Sequence, residues 1–165
     1  MTIHDILATL QASHDEHGDG GYHVIPQLLA DEVWTSHEPP FPDDPIVWDG
    51  EEFADYLPMV QQVMSEAFPD RRMEVSFTAR GDDEIAMTGT MRASMPDGSP
   101  LAHPVDVTWT FENGRMTRYV VAAGTPEIQA GYAQQGQAMA ERGIDVSRLA
   151  PPEGGRSRSR VGAGD

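Results

Sequence analysis

The sequence predicts an α+β domain with helices on one face of a curved antiparallel sheet, and three observations carry that prediction. Residues 101 to 123, LAHPVDVTWTFENGRMTRYVVAA, read as two long strands joined by a turn. Residues 73 to 93 repeat the same alternation, and apolar residues at helical spacing precede it in three separate stretches. In the first of these segments Leu101, His103, Val105, Val107, Trp109 and Phe111 share one face, while Asp106, Thr108 and Thr110 share the other. Asn113-Gly114 supplies the positive backbone angles of a tight hairpin turn, and strand alternation resumes from Arg115.

Taken in order, Ile3, Ile6, Leu7 and Leu10 predict a first amphipathic helix over residues 2 to 13, with Thr2 as its N-cap. Gly18-Asp19-Gly20-Gly21 is turn chemistry and ends it. Val24, Ile25, Leu28 and Leu29, with Pro26 in the first turn, predict a short second helix within residues 22 to 31. A short strand over Val33-Trp34-Thr35-Ser36-His37 follows. Residues 38 to 50 hold four prolines, which exclude regular structure from most of that length and suggest a pocket rim between Trp34 and Trp48. Phe53, Tyr56, Leu57, Val60, Val63, Met64 and Phe68 predict a third helix with an acidic start that suits its dipole. Met73, Val75, Phe77 and Ala79 then alternate as a strand, and Ile85, Met87, Gly89, Met91 and Ala93 as another. A terminal helix over IQAGYAQQGQAMAERG carries few large apolar residues, so it is expected on the surface or against a partner. The Pro/Gly/Ser/Arg segment at the end has nothing to bury. One domain over residues 1 to 146 and a disordered tail over 147 to 165 are the expected organisation.

Composition narrows the chemistry. The 165 residues include no cysteine, which removes disulfides and thiolate nucleophiles. All eleven basic residues are arginines, so no lysine is present to form a Schiff base. A net charge of −16 argues against nucleic-acid and anionic-membrane partners. No apolar run approaches membrane-spanning length, and a cytoplasmic location is the expectation.

Leu28-Leu29-Ala30-Asp31-Glu32-Val33-Trp34, Trp48-Asp49-Gly50-Glu51-Glu52-Phe53 and Trp109-Thr110-Phe111-Glu112-Asn113-Gly114-Arg115-Met116-Thr117-Arg118 are three phrases whose order and spacing carry a resemblance. Over about residues 3 to 140 the chain resembles SnoaL-like and ketosteroid-isomerase-like members of the nuclear transport factor 2-like superfamily. They are similar, in turn, to that family's "LLADDVVW" strand entry, its "G-x-x-x-F" helix start and its "F-x-x-GKI-x-R" hairpin. The resemblance implies a cone-shaped curved antiparallel sheet with N-terminal helices packed on its concave face, around an apolar pocket. It also implies a repertoire of isomerases, dehydratases, epoxide hydrolases, polyketide cyclases and non-catalytic binders, so the site must be argued by residue.

Ketosteroid-isomerase-like relatives keep a carboxylate base near the end of the first strand, where this chain has His37, or Glu38 in a register one residue later. The acidic position that follows the last strand of many cyclases falls here near Gly124. His37 and His103 are therefore the candidate catalytic pair, because an imidazole suits proton transfer in a dry pocket. A histidine on an apolar face is also a common core residue with its hydrogen bonds satisfied. Trp34, Trp48, Phe77, Met87, Met91, Trp109 and Tyr119 are the candidate pocket lining, and Arg92 and Arg118 are read as outward-facing. His14, Asp15, Glu16, His17 and His23 have metal-ligand chemistry without a spacing that fixes a third ligand, so neither metal nor cofactor is expected. The expected function is cofactor-independent isomerisation, cyclisation or dehydration of an apolar carbonyl or polyketide-like substrate, or else binding of a small apolar molecule without turnover, in a homodimer.

Overall fold

Strand pairing around residues 100 to 112 organises the molecule. The computed structural model describes residues 1 to 36 and 45 to 150 in full, and residue 37 in its backbone. Glu38, the proline-rich rim and the tail beyond residue 150 lie outside the described residues. The elements are α1 (Ile3–His17), β1 (Leu29–His37), β2 (Ile46–Asp49), α2 (Gly50–Ala67), β3 (Arg72–Arg80), β4 (Glu84–Ser94), β5 (Pro100–Glu112), β6 (Arg115–Val121) and α3 (Pro126–Glu141). Short 3₁₀ turns cover Ile25–Gln27 and Val146–Leu149. The strands form one curved, unclosed sheet in the order β2-β1-β6-β5-β4-β3. It is α+β as expected, with one refinement: β1 runs parallel to β6, so the sheet is mixed, although every other pairing is antiparallel. Among the described residues no helix is long and apolar enough to cross a membrane.

Local chemistry sets the boundaries. Thr2 and Asp5 form a reciprocal capping box at α1, and Gly18 ends that helix in the left-handed conformation at φ 68°. The Asp49 carboxylate accepts from the backbone N–H of Glu51 at 2.9 Å and of Glu52 at 3.4 Å, which starts α2 directly from β2. Two elements differ from expectation. The stretch after Gly21 makes only a 3₁₀ turn, because Leu29 already pairs with Met116 and the chain is committed to β1 four residues earlier than predicted. Ile46 to Asp49 pair with β1 as an edge strand once the prolines end.

Side-chain alternation turns these pairings into a core. Lateral neighbours across a sheet share a face, so the row Ala79, Ile85, Trp109, Tyr119 and Thr35 points inward, as does the row Phe77, Met87, Val107 and Val121. One cluster joins these rows to Ile3, Ile6 and Leu10 of α1 and to Phe53 and Leu57 of α2. A second cluster gathers Phe68, Met91, Ala93, Met95 and Leu101 beneath Ala138 and Met139 of α3. The terminal helix thus docks on β5 and is not a surface helix. Its buried positions Ile128, Gly131, Gln135, Ala138 and Met139 fall at helical spacing, but only Ile128 and Met139 are large and apolar. Docking continues past residue 146, where Arg148 pairs with Glu66 at 2.7 Å and Leu149 accepts from the Tyr56 hydroxyl.

Gly50 holds α2 against β1. A β-carbon there would run into the carbonyl oxygen of Ala30, a backbone atom that cannot rotate aside. Gly50→Ala should therefore destabilise the fold by about 2 kcal/mol despite the roughly 1 kcal/mol helix propensity that alanine gains. Thermal unfolding would register this as a fall of about 5 °C in Tm.

Candidate functional site

The concave face is not filled evenly. Val105 belongs to a central strand and its alternation points inward, yet it is only half-buried, as are Met73 and Val75. Met73 and Val105 touch both core clusters, so the less covered part of the face, the candidate opening, lies between the clusters. Gly89, opposite both Val75 and Val105, explains part of it, because φ 151° is a conformation that side chains rarely adopt and glycine leaves that row bare.

Polar groups converge on this opening from four elements. Tyr22, in the loop after α1, shares a very short hydrogen bond between hydroxyls with Tyr119 of β6. Tyr22 meets Trp109 edge-on at 6.5 Å, and Phe53 meets Tyr119 edge-on at 5.8 Å. Burial pushes both tyrosines above the ordinary phenol range, so at neutral pH they are hydrogen-bonding groups and not anions. Tyr132 of α3 is pushed up to about 12 by burial, and its charge would be felt by Tyr119. Trp109 is fully buried, and its Nε1 has no hydrogen-bond partner among the described residues. Apolar walls with a few convergent polar groups are the usual make-up of a small-molecule site.

His103 lies at the edge of this region, under α3. Its ring is 7% exposed and meets Tyr132 edge-on at 4.5 Å. Gly131 sits directly over the imidazole, where any side chain would collide with it. Burial lowers the pKa of His103 to about 4, and its Nδ1 has no partner among the described residues. Such an imidazole is neutral at pH 7 and a weak base, suited to hydrogen bonding more than to carrying a proton.

The other sequence candidates divide by face. Phe77, Met87, Met91, Trp109 and Tyr119 all lie inward, Met91 beneath α3 with His103. Trp48 is buried below α2, tilted against the rings of Phe53 and Tyr56 at about 5 Å, and donates to the Thr35 hydroxyl at 2.8 Å. Trp34 is a correction to the pocket lining. It alternates with the inward Val33 and Thr35, pairs laterally with Arg118, and carries that guanidinium over its ring at 4.0 Å on the convex face. Arg92 is outward as well, paired with Glu74. The backbone of His37 pairs with Val121 at the end of β1, and its side chain lies outside the described residues. His14 accepts at Nδ1 from the Gly20 N–H, and His17 stacks on His23 at 3.8 Å. No group of three or more His, Cys, Asp or Glu with metal-holding geometry occurs among the described residues.

Sequence reasoning missed two of the convergent groups, Tyr22 and Tyr132, and a neighbour of Tyr22, Arg71, whose guanidinium donates to Gln61 of α2. Tyr22 follows a glycine turn and Tyr132 lies in a helix expected on the surface, so neither stood on a predicted inward face. Arg71 was legible, because it extends the inward series Met73, Val75, Phe77 and Ala79 by one step. A separate groove of about 280 Å³ at the outer sheet edge is lined by Asp70, Arg72, Arg92 and Ser94. It is about half open to solvent, and Arg92, Asp70 and Ser94 already bond within the protein.

The depressed pKa of His103 has a measurable sign. The folded protein resists protonation below the unfolded value near 6.5, so its contribution is intact above that pH and is lost as pH falls toward 4. His103→Leu should reduce the loss of stability between pH 7 and pH 4 by up to about 3 kcal/mol. Chemical denaturation of both proteins across that range, compared by difference, measures it.

No protein-family model and no curated protein matches the chain. Solved structures do. A presumed polyketide cyclase from Acidithiobacillus ferrooxidans is similar with a TM-score of 0.54 at 19% identity, over 81% of this chain and 94% of that one. A presumed SnoaL-like polyketide cyclase from Jannaschia sp. CCS1 gives 0.52 at 16% identity, over 88% and 92%. TerC, co-crystallised with polyporic acid, gives 0.50 at 18% identity, over 81% and 97%. Likeness at such identities carries the fold and leaves the chemistry to the residues: the chain has the nuclear transport factor 2-like fold, in the form it shares with SnoaL-like proteins.

Proposed function

We propose that the protein is a cofactor-independent enzyme that moves a proton on an apolar carbonyl compound, in an isomerisation, cyclisation or dehydration. The Tyr22–Tyr119 hydroxyl pair is the observation that carries this reading. Two phenols, desolvated among Trp109, Phe53 and the wall of β6, can share one hydrogen bond and still offer a second donor to a carbonyl oxygen. Donors fixed in a dry site stabilise negative charge as it develops on that oxygen, because they need not reorganise. The proton acceptor in this reading is His37, whose strand position lies two residues along β1 from Thr35, the lateral neighbour of Tyr119. His103, neutral and edge-on to Tyr132, would contribute a hydrogen bond and not a proton. The likeness to presumed polyketide cyclases, and to a protein crystallised with polyporic acid, agrees with a flat ring system as substrate class.

One observation favours the second reading, a binder without turnover: the inward-facing histidine whose side chain is described is held neutral by burial. A single experiment separates the two. Cyclic and polyaromatic ketones would be screened by thermal shift, and those that bind followed by NMR for exchange of their α-hydrogens in D₂O. Catalysed exchange is expected, lowered about 10²- to 10⁴-fold in His37→Ala and about 10²- to 10³-fold in Tyr119→Phe, with Tm nearly unchanged in the first. Binding without exchange in the wild type would establish the binder reading instead.

A further inference from the structure

Arg71 stands apart from the other described arginines. It immediately precedes β3 and continues that strand's inward series, so it approaches the concave face beside Met73. Its guanidinium donates to Gln61 Oε1 at 2.7 Å. Gln61 lies four residues after Leu57 and three before Met64, on the face of α2 that covers the sheet. Among the described residues no carboxylate comes within 4 Å of it. Asp19 is close enough to be felt, but both its oxygens are engaged, accepting from the N–H groups of Gly21 and His23.

The other described arginines have ordinary explanations. Arg92 and Arg148 make ion pairs. Arg142 ties α3 to the carbonyls of Ala67 and Ser94, Arg115 bonds the carbonyl of Gln27, and Arg118 lies over Trp34. Arg72 and Arg80 are exposed on the outer face of β3. A half-buried guanidinium bears a desolvation cost, and a protein normally offsets it with a paired anion. Burial lowers the pKa of Arg71, opposed by Tyr22 and Asp19, so Tyr22 of the hydroxyl pair shares its electrostatic neighbourhood. In a chain of net charge −16 the overall field disfavours an anionic ligand, so a local cation is needed to hold one.

We propose that Arg71, steadied by Gln61 and with the Tyr22 hydroxyl nearby, is an anion-binding residue of the concave site, and that the ligand is an apolar ring compound carrying a carboxylate. A guanidinium presents paired donors that match the two oxygens of a carboxylate, and one oxygen of Gln61 leaves most of its five N–H groups uncommitted. Met73, Met87, Val105 and Trp109 supply the apolar surface for the ring. This rests on the concave face being the ligand site, as in the proposed function, but it needs no turnover.

The test uses binding alone, read from tryptophan fluorescence and calorimetry, with 2-naphthoate and its neutral isostere 2-naphthamide as probes. The full chain should prefer the carboxylate by about ten- to hundredfold, the usual worth of a charge-assisted hydrogen-bond pair. Arg71→Gln should abolish that preference while leaving naphthamide affinity in place, and Arg72→Gln, on the outer face, should leave it intact. Should Arg71→Gln not fold, Arg71→Lys keeps the charge without the fork and should lower the preference about threefold or more. Equal binding of the two probes, binding of neither, a preference unchanged in Arg71→Gln or Arg71→Lys, or a preference lost in Arg72→Gln would each overturn the assignment. Naphthoate preference without α-hydrogen exchange of ketones would count against the proton-transfer reading and leave this one standing; exchange without the preference would do the reverse.

Discussion

The strict alternation of β5 is the constraint on which the rest depends. Its thirteen residues lie between β4 and β6 in the sheet, so Leu101, His103, Val105, Val107, Trp109 and Phe111 must all be covered from one side. One helix cannot cover a strand of that length. α1 and α2 close over the Trp109 end, and α3 closes over the Leu101 end, each with its own apolar cluster. The half-buried Val105 is where the two coverings meet, and its neighbour on β4, Gly89, has no room for a side chain, since a β-carbon there would run into the Glu74 carbonyl oxygen of β3. The candidate site lies here, at the seam between two cores.

Desolvation then decides which charges the seam tolerates. A phenol or imidazole can respond to burial by staying neutral, and Tyr22, Tyr119, Tyr132 and His103 all do. A guanidinium cannot shed its proton at any ordinary pH, so Arg71 keeps its charge and must be compensated by a partner. Several described carboxylates are engaged locally: Asp5 and Asp49 cap helices, Asp97 and Asp145 close turns with Ser99 and Ser147, and Asp19, near Arg71, accepts from the backbone of its own loop. Among the described residues the charge that the seam holds against desolvation is that of Arg71, opposite in sign to the net charge of the chain.

Much of this was legible in the residues because β-strands write their faces into the sequence. The period-two series of β3, β4 and β5 placed Phe77, Met87, Met91, His103 and Trp109 on the inward face without a coordinate. Trp34 was misassigned for want of the same logic. It is flanked by Val33 and Thr35, and counting the alternation there sends it to the convex face, but its bulk beside a proline-rich segment suggested a pocket wall. The parallel pairing of β1 with β6 was illegible for a different reason. Partner choice between distant strands leaves no periodic trace, and only the helix that separates β1 from the later strands hints that the chain has returned to the far side of the sheet.

The docking of α3 shows where reading by residue size breaks down. A helix rich in Ala, Gln and Gly has a weak apolar stripe, and area alone would leave it at the surface. Small residues also allow close approach, and at Gly131 that matters more than area: the helix backbone comes directly onto the His103 imidazole, nearer than any side chain would permit. That contact dries the imidazole, holds it neutral and brings Tyr132 edge-on against it. One glycine in a helix with little to bury therefore contributes to the burial that lowers the pKa of a strand residue at the candidate site. The apolar count of α3 gave no sign of this, because the information lay in the absence of a side chain at one position and in the identity of the residue on which that position lands.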